Sequence, residues 1–297
     1  MKNILITGCS SGFGFNAAKY LAQKGHHIHA TMRNTNGKNA KAASELKDFA
    51  SSNQLQIDVV DMDVTSDDSV NAAVAKMAKV EVLINNAGYG YVGPIEAFSS
   101  KIFMDQLDLN IIGPFRVAKA VLPLMRAQKY GLIIQVSSVA GRSASPAYGI
   151  YHASKWGLEG LSESLRYELS SLGIDVVIVE PGPFDTNFLD NLVMPKDEKV
   201  AMAYKHVKKY LDAVIADFRV IFKDKNKPIE PMLVAKAFEK LINTPDGKRP
   251  LRTVVGMGDK VRALNDAYET IRKANLESLG IAEWDGPKPQ DSPSKKG

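Results

Sequence analysis

The chain has 297 residues, of which 45% are hydrophobic and 24% are charged, and its formal net charge is +5. This length and composition suit one large α/β domain, and nothing in the charge resembles the basic stripe typical of nucleic-acid-binding proteins. The single cysteine, Cys9, excludes an intramolecular disulfide, no apolar run is long enough to span a membrane, and strand-like sequence begins at residue 2, so we expect a cytoplasmic protein.

Apolar runs of strand length alternate with segments of helical periodicity along the chain. The predicted strands are residues 2–7, 27–32, 55–60, 80–84, 132–137, 174–179 and 251–255. The predicted helices are residues 12–24, 38–52, 66–78, 101–128, 151–172, 231–242 and 260–278. Such alternation predicts parallel strands joined by right-handed crossovers, and their apolar character predicts helices on both faces. We therefore predict an α/β fold with a doubly wound parallel sheet of about seven strands, a Rossmann fold.

The alternation stops after the sixth predicted strand. Residues 184–225 are mostly helical in pattern and predict an insertion that forms a lid over the substrate. Residues 286–297 are rich in Pro, Ser, Lys and Gly, a composition that predicts a disordered tail. Because the sequence contains no repeat and no second apolar core, we predict a single catalytic domain over residues 1–285.

A glycine-rich loop joins the first predicted strand to the first predicted helix, with the sequence Thr7-Gly8-Cys9-Ser10-Ser11-Gly12-Phe13-Gly14. Glycine at these positions allows a tight turn and a close approach of the backbone to a ligand. The helix N-terminus offers N–H groups and positive partial charge to a diphosphate. A glycine-rich turn without a ligand is the alternative, but the preceding strand and following helix favour a phosphate-binding loop.

Tyr151 and Lys155 are four residues apart, which places them on one face of a helix. An ammonium beside a phenol favours the phenolate, so we expect Lys155 to lower the pKa of Tyr151 and make it a general acid and base. Alone, this spacing is weak evidence, because most such pairs are solvated helix faces. The glycine loop and Ser138, at the end of the fifth predicted strand, strengthen it.

Together these motifs resemble the short-chain dehydrogenase/reductase family. They follow the order and spacing of that family over residues 1 to about 260: the glycine loop, Asn85-Asn86-Ala87-Gly88, Asn110, Ser138, and Tyr151 with Lys155. The glycine loop and residues 90–96 are most similar to the branch that holds 17β-hydroxysteroid and retinol dehydrogenases. The resemblance implies an oxidoreductase that transfers a hydride between C4 of a nicotinamide and a carbonyl carbon.

The resemblance also implies a role for each motif residue. Tyr151 would exchange a proton with the substrate oxygen, Ser138 would hydrogen-bond that oxygen, and Lys155 would hold the nicotinamide ribose. Asn110 would hold a water that relays protons to the lysine. Ser137 is the rival of Ser138, but strand alternation turns its side chain to the opposite face. The predicted cofactor-binding residues are Gly8, Ser10, Ser11, Gly12, Phe13, Gly14, Arg33, Asp63, Val64, Asn86, Ala87, Gly88, Tyr151, Lys155, Pro181, Gly182 and Thr186.

The second predicted strand ends at the position that selects between NAD(H) and NADP(H) in folds of this type. No acid stands between residues 26 and 40 to accept a ribose hydroxyl, whereas Arg33 offers a planar, charged fork that matches a phosphate. A solvent-facing Arg33 without a ligand is the alternative. We expect NADP(H) to be preferred over NAD(H).

The remaining expectations concern the substrate and partners. Apolar residues of the insertion and of the loop after the fourth strand favour a hydrophobic ketone, aldehyde or secondary alcohol as the substrate. The same residues could instead simply pack the lid onto the body. They are Phe184, Phe188, Leu189, Leu192, Val193, Met194, Tyr89, Tyr91 and Val92. Helices 101–128 and 151–172 resemble those that pair in the family's dimers and tetramers, so we expect a homo-oligomer.

Three alternatives stay open at this point. His26, His27 and His29 raise the question of a metal, but no Cys or acid completes a site, so we expect none. An NAD(H)-dependent alcohol dehydrogenase of the same family is the nearest alternative function. A non-catalytic dinucleotide sensor is another, although sensors of that kind would have lost the tyrosine or the lysine.

Overall fold

The computed structural model describes residues 1–224 and 226–288, and its centre is a single parallel sheet. The strands are β1 (Asn3–Ile6), β2 (His27–Met32), β3 (Ile57–Asp61), β4 (Val82–Asn85), β5 (Gly131–Val136), β6 (Ile174–Pro181) and β7 (Arg252–Val255). Their spatial order is β3-β2-β1-β4-β5-β6-β7, and all neighbouring strands pair in parallel. The predicted seven-stranded doubly wound fold is therefore confirmed.

Ten α-helices connect and cover the strands in the described residues. They are α1 (Gly12–Gln23), α2 (Ala40–Ser52), α3 (Asp67–Val74), α4 (Ser100–Leu107), α5 (Gly113–Gln128), α6 (Gly149–Leu169), α7 (Glu198–Ala203), α8 (Lys205–Ile221), α9 (Met232–Asn243) and α10 (Asp259–Ser278). Ser66 caps α3, since its side chain accepts a hydrogen bond from the Ser69 backbone N–H. Among residues 1–224 and 226–288, no helix is long and apolar enough to cross a membrane.

The core has one layer on each face of the sheet, because side chains alternate along every strand. Ile4 and Ile6 of β1 belong to a buried cluster with α1, α2 and α9, whereas Leu5 between them belongs to a second cluster with α3 and α5. These strand residues are fully buried. Helices on both faces explain why the strands are apolar throughout rather than alternately polar.

The predicted helix 101–128 is interrupted by a π-helical turn at Asp108–Ile112, between α4 and α5. Pro114 explains the interruption, because a proline lacks the backbone N–H and its ring clashes with the carbonyl four residues earlier, here that of Asn110. Wider turns of this kind often occur at functional sites. The turn includes Asn110, one of the predicted catalytic residues.

The C-terminal segment is ordered further than the composition predicts. Arg166 of α6 and Arg272 of α10 both bind the Asp285 carboxylate, and the next two residues, Gly286 and Pro287, are buried. Gly286 and Pro287 of the predicted disordered tail are therefore packed against the body. Residues 289–297 of that prediction lie outside the described residues.

Candidate active site

The predicted site residues lie along one edge of the sheet. Gly8 follows β1, Gly88 follows β4 and Ser138 follows β5, while Arg33 and Asp63 follow β2 and β3. Because the strands are parallel, all their carboxyl ends meet at this edge. The strand order reverses between β1 and β4, and ligands of open α/β sheets bind at such a switch point.

Close packing determines the conformation of the glycine loop between β1 and α1. Gly8 has a φ of +73°, and a β-carbon there would lie 2.8 Å from the Cα of Ala87. A β-carbon on Gly14 would lie 2.5 Å from the Gly8 carbonyl oxygen. Asn86 holds the loop in this shape, since its side-chain amide donates to the carbonyl oxygens of Thr7 and Gly8 at 2.9 and 3.2 Å. The cofactor contact predicted for Asn86 stays a prediction, and its amide group supports the loop beside it.

The N-terminus of α1 faces an open groove. Ser11 is the N-cap residue, but within the described residues its side chain makes no capping hydrogen bond, so the first-turn N–H groups keep their capacity to bind an anion. A β-carbon on Gly12 would point toward Thr186, with 4.0 Å to its Cβ. The groove between the glycine loop and the insertion therefore fits a diphosphate bound by backbone amides.

Phe13 and Phe184 pack against each other beside this groove. Their rings meet edge to face with centroids 5.3 Å apart, and Phe184 is 4% exposed. Phe184 was predicted to line the substrate pocket, but it belongs to the core cluster with α1 and α9. Its ring therefore holds the start of the insertion on the body.

Arg33 and Asp63 lie together at the carboxyl ends of β2 and β3. The nearest Arg33 guanidinium nitrogen is 4.0 Å from Asp63 Oδ2, and the Arg33 side chain is 55% exposed, so it is open to a ligand. Asp63 Oδ1 accepts hydrogen bonds from the backbone and hydroxyl of Thr65 at 2.9 and 2.7 Å. Val64 is buried, and its carbonyl oxygen accepts a hydrogen bond from Arg116 at 2.6 Å. Val64 therefore shapes this end of the groove mainly by packing.

A cavity of about 360 Å³ opens beside the glycine loop. Ser10 and Ser11 line it on one side, and Lys38, Asn39 and Lys41 line it on the other. Both lysines precede or begin α2, a position that the sequence analysis did not single out. Two lysines beside two hydroxyls make this end of the groove suitable for phosphate groups.

Tyr151, Lys155 and Ser138 converge at the centre of the edge. Tyr151 and Lys155 lie in the first turns of α6 and are both buried, with Lys155 Nζ 5.8 Å from the centroid of the phenol ring. Lys155 donates a hydrogen bond to the Val136 carbonyl oxygen at 2.9 Å, which fixes the ammonium at the end of β5. Ser138 Oγ accepts from the Ala140 N–H at 3.1 Å and donates to the Pro181 carbonyl oxygen at 3.4 Å.

Burial dominates the ionisation of this group. It raises the pKa of Tyr151 to about 12, against the opposing effect of a hydrogen bond from Ser138. Burial also lowers the pKa of Lys155 to about 8, and the nearby Glu159 carboxylate opposes that shift. The pKa of Tyr151 is therefore raised, in the direction opposite to that expected from Lys155 alone, because desolvation disfavours the phenolate.

Asn110 lies behind Lys155 in the π-helical turn. Its side-chain amide donates to the Tyr89 carbonyl oxygen at 3.1 Å and to Ser154 Oγ at 3.0 Å. Its Oδ1 is buried and makes no hydrogen bond within residues 1–224 and 226–288. Oδ1 and Lys155 Nζ lie 3.0 and 3.8 Å from the position that a β-carbon on Gly88 would take. A buried acceptor beside an ammonium is suited to hold a bridging water.

The phenol is covered from the other side by an apolar wall. A β-carbon on Gly90 would lie 3.1 Å from the Tyr151 ring, and the Phe188 ring is 5.6 Å away between centroids. Further apolar residues of the insertion pack on the same cluster, namely Leu192, Val207, Leu211, Val214 and Ile215. Val193 joins the insertion to the loop after β4 through a parallel β-bridge with Tyr91.

Tight contacts also determine the conformation of the loop after β6. A β-carbon on Gly182 would lie 1.9 Å from the Met257 carbonyl oxygen, so only glycine fits there. The Gly182 N–H donates to the Val255 carbonyl oxygen at 2.9 Å, and Thr186 Oγ1 accepts from the Phe188 N–H at 3.3 Å. Pro181, Gly182 and Thr186 therefore form the rim between Ser138 and the insertion.

The sequence analysis missed a buried polar network behind Tyr151 and Lys155. Glu159 and Glu180 are both buried, and burial raises the pKa of each carboxyl. Arg252 Nε donates to Glu159 at 2.8 Å, and Asn265 donates to Glu180 at 2.5 Å. Glu159 stands four residues after Lys155 on α6, so extending the Tyr151 and Lys155 spacing by one turn would have found it.

The sequence and the structure are similar to those of several dehydrogenases and reductases. A family model described as short chain dehydrogenase matches residues 2–197. The chain is 33% identical over 257 residues to 3-ketodihydrosphingosine reductase of Bacteroides thetaiotaomicron, a match that covers 85% of this chain and 87% of that protein. It is 32% identical over 249 residues to human 17-beta-hydroxysteroid dehydrogenase type 1, covering 82% and 74% of the two chains.

Two solved structures share the fold. A short-chain dehydrogenase from Streptomyces avermitilis superposes with a TM-score of 0.69 and 29% identity, covering 94% of this chain and 97% of that one. A variant of actinorhodin polyketide ketoreductase with NADPH has a TM-score of 0.64 and 28% identity, covering 82% and 90%. The match to the family model includes both the glycine loop and the segment with Tyr151 and Lys155.

Proposed function

The chain belongs to the short-chain dehydrogenase family and is an oxidoreductase, and from that premise we propose that it uses NADP(H) to interconvert a hydrophobic ketone or aldehyde and its alcohol. Tyr151 serves as the general acid and base in this proposal. The observation that carries it is the meeting of the buried Tyr151 and Lys155 with the half-buried Ser138 at the carboxyl edge of the sheet.

The groove along this edge fits a nicotinamide dinucleotide. The glycine loop and the uncapped N-terminus of α1 would hold the diphosphate, and Lys155 would hold the ribose next to the nicotinamide. Arg33 at the end of β2 supports NADP(H), because its guanidinium is exposed and suits a phosphate. When bound, the cofactor supplies the hydride.

The protein's own residues handle the proton. A phenol with a pKa of about 12 holds its proton at neutral pH, so Tyr151 is ready to donate it to a carbonyl oxygen during reduction. The Ser138 hydroxyl would hydrogen-bond the same oxygen and stabilise its developing charge. Asn110 Oδ1, beside Lys155, supports the return of a proton through a bound water.

An apolar substrate is favoured by the wall above Tyr151. Phe188 and Leu192 of the insertion pack on the phenol side of the site, and Val92 is fully buried beneath them. The two relatives named above act, by their names, on a keto-lipid base and on a hydroxysteroid, which are large and mostly apolar. We propose that residues 184–225 act as the substrate lid.

Cofactor oxidation measured with a panel of carbonyl compounds tests this function. We expect consumption of NADPH with long-chain or polycyclic ketones and a higher kcat/KM with NADPH than with NADH. Equal values or a preference for NADH would favour the NAD(H)-dependent alternative. Binding of NADPH without turnover of any compound in either direction would favour a dinucleotide sensor.

Assembly into a homo-oligomer is part of the same proposal. The outer surfaces of α5 and α6 expose large apolar side chains, among them Phe115 and Trp156, at 41% and 48% exposure. Exposed apolar side chains of this size are common at subunit contacts. Light scattering after size-exclusion chromatography would give the number of subunits.

A further inference from the structure

A cluster of two histidines and one aspartate lies on strands β2 and β3, away from the proposed active site. His27 and His29 are separated by one residue on β2, so both side chains point to the same face. Asp58 of the neighbouring strand β3 is in register with His29. The sequence analysis excluded a metal because no acid completed a site, and the strand pairing supplies that acid.

The three side chains converge on one point. His27 Nε2 is 2.7 Å and His29 Nδ1 is 3.3 Å from the same oxygen, Oδ2 of Asp58, and the imidazole rings are 4.6 Å apart between centroids. All three candidate ligand atoms lie within 4.8 Å of one another. Ligand atoms around a tetrahedral zinc ion with bonds of ~2.0–2.1 Å lie about 3.3 Å apart, so this cluster needs only a small opening to admit one.

One side chain of the cluster is held in place by packing, and the other two are accessible to solvent. The His29 side chain is 11% exposed and is held by the sheet, whereas His27 and Asp58 are 26% and 57% exposed and can adjust. In the described part of the chain, no other group of three or more His, Cys, Asp or Glu residues has this geometry.

We propose that His27, His29 and Asp58 form a binding site for a divalent transition-metal ion of the zinc type. Two imidazoles and one carboxylate suit zinc, cobalt or nickel better than magnesium or calcium, which prefer oxygen ligands alone. A solvent molecule would complete the coordination. The cluster occupies the amino half of β2, four to six residues and roughly 13–20 Å along the strand from Arg33, so the ion would not take part in the hydride transfer.

The ion would stabilise the pairing of β3 with β2 at the edge of the sheet. β3 is the outermost strand, and it is paired only with β2 among the described strands. A metal that bridges β2 and β3 binds the folded protein and not the unfolded chain, so it stabilises the fold by mass action. Hydrogen bonds from the two imidazoles to Asp58 alone would also hold the side chains together, and metal titration separates the two explanations.

Zinc titration of the untagged full-length protein, freed of metal by a chelator, tests the site. We expect about one Zn²⁺ per chain by calorimetry, a Co²⁺ absorption spectrum typical of imidazole and carboxylate ligands, and a higher Tm with Zn²⁺ than without. His27→Ala and Asp58→Asn should each weaken Zn²⁺ binding by roughly tenfold or more and remove the Tm increase.

His26→Ala is the matched control, because His26 neighbours the cluster but points elsewhere, accepting a hydrogen bond from the Lys2 N–H. It should bind Zn²⁺ like the unaltered protein. Circular dichroism of each variant shows that it is folded, and the more exposed His27 and Asp58 are chosen because His29 is more deeply packed. Absence of Zn²⁺ binding, or equal binding by His27→Ala and the unaltered protein, would overturn the proposal.

Discussion

Glu159 lies one helical turn after Lys155 on α6, and its buried carboxylate raises the pKa of the lysine that burial lowers to about 8. Arg252 holds the carboxylate in place with a hydrogen bond of 2.8 Å. Because a neutral lysine cannot attract a ribose hydroxyl or a phenolate, the proposed mechanism requires a charge on Lys155. We therefore propose that Glu159 acts on the reaction through Lys155, as a positioning residue.

A pH profile should reveal this coupling. In the unaltered protein we expect kcat/KM for ketone reduction to fall above pH 8, where Lys155 loses its proton. In Glu159→Gln the carboxylate charge is gone, so the pKa of Lys155 drops and the fall in kcat/KM should begin at a lower pH. The measurement is kcat/KM with NADPH from pH 6 to pH 10.

Glu163→Gln is the matched control for that profile. Glu163 also accepts a hydrogen bond from Arg252, at 2.7 Å, but it is two turns from Lys155. Both variants disturb the same arginine, so a purely structural effect would alter both profiles alike. An unchanged profile in Glu159→Gln, or the same shift in Glu163→Gln, would contradict the role assigned to Glu159.

The phenol of Tyr151 can be tested by removing one oxygen. Tyr151→Phe keeps the ring that packs against Phe188 but has no proton to donate, so kcat should fall by about 10²–10⁴ while the Kd for NADPH changes little. Tyr148→Phe is the control, because Tyr148 is buried nearby and its hydroxyl makes no hydrogen bond within the described residues. Comparable activity of Tyr151→Phe and the unaltered protein would rule out Tyr151 as the acid.

Arg33 should determine the choice of cofactor. Arg33→Ala removes the exposed guanidinium at the end of β2, and the loss of a charged hydrogen bond should weaken NADPH binding by about 1.5–3 kcal/mol while NADH binding is unchanged. Kd values for both cofactors from fluorescence titration provide the measurement. Arg126→Ala, an exposed arginine in the last turn of α5, controls for a general loss of positive charge. Equal weakening for NADH and NADPH would argue against a phosphate contact.

Asp285 should stabilise the C-terminal segment in a pH-dependent way. Burial raises its pKa, but the hydrogen bonds and charges of Arg272 and Arg166 outweigh burial, so the pKa is below its ordinary value. A carboxyl whose pKa is lowered in the folded protein stabilises the fold fully at pH values above its ordinary pKa, near ~3.9. This stabilisation is lost as the pH falls through the lowered pKa.

Asp285→Asn therefore leaves two buried guanidiniums without their shared carboxylate. We expect the free energy of unfolding at pH 7 to fall by about 3 kcal/mol, and the difference from the unaltered protein to shrink as the pH drops below ~4. Urea unfolding at several pH values measures both. Glu283→Gln, on an exposed neighbour, should have little effect. A pH-independent difference would mean that packing, rather than charge, dominates at Asp285.

Local patterns in the sequence were enough to predict the fold and the family. The alternation of apolar strands and amphipathic helices predicted the parallel sheet, because both periodicities are properties of short segments. The spacing of the glycine loop, Asn110, Ser138, Tyr151 and Lys155 identified the family, and the structure places these residues along one edge of the sheet. Their catalytic and binding roles stay predictions that the experiments above test.

Other features depended on residues that are far apart in the sequence. Asp58 meets His27 and His29 only because β3 pairs with β2 in a particular register, and Glu180 meets Arg252 only across β6 and β7. Such contacts leave no trace in the spacing of either segment.

The pKa of Tyr151 also depends partly on local sequence and partly on tertiary packing. Sequence spacing by itself determined that a lysine lies one turn from Tyr151, which predicted a lowered phenol pKa. Only the tertiary structure decided that Tyr151 is 7% exposed, beneath Gly90 and Phe188, and that its pKa is raised to about 12. The physical reason is that a neighbouring charge follows from local helix geometry, whereas the loss of water around a group depends on every segment that packs over it.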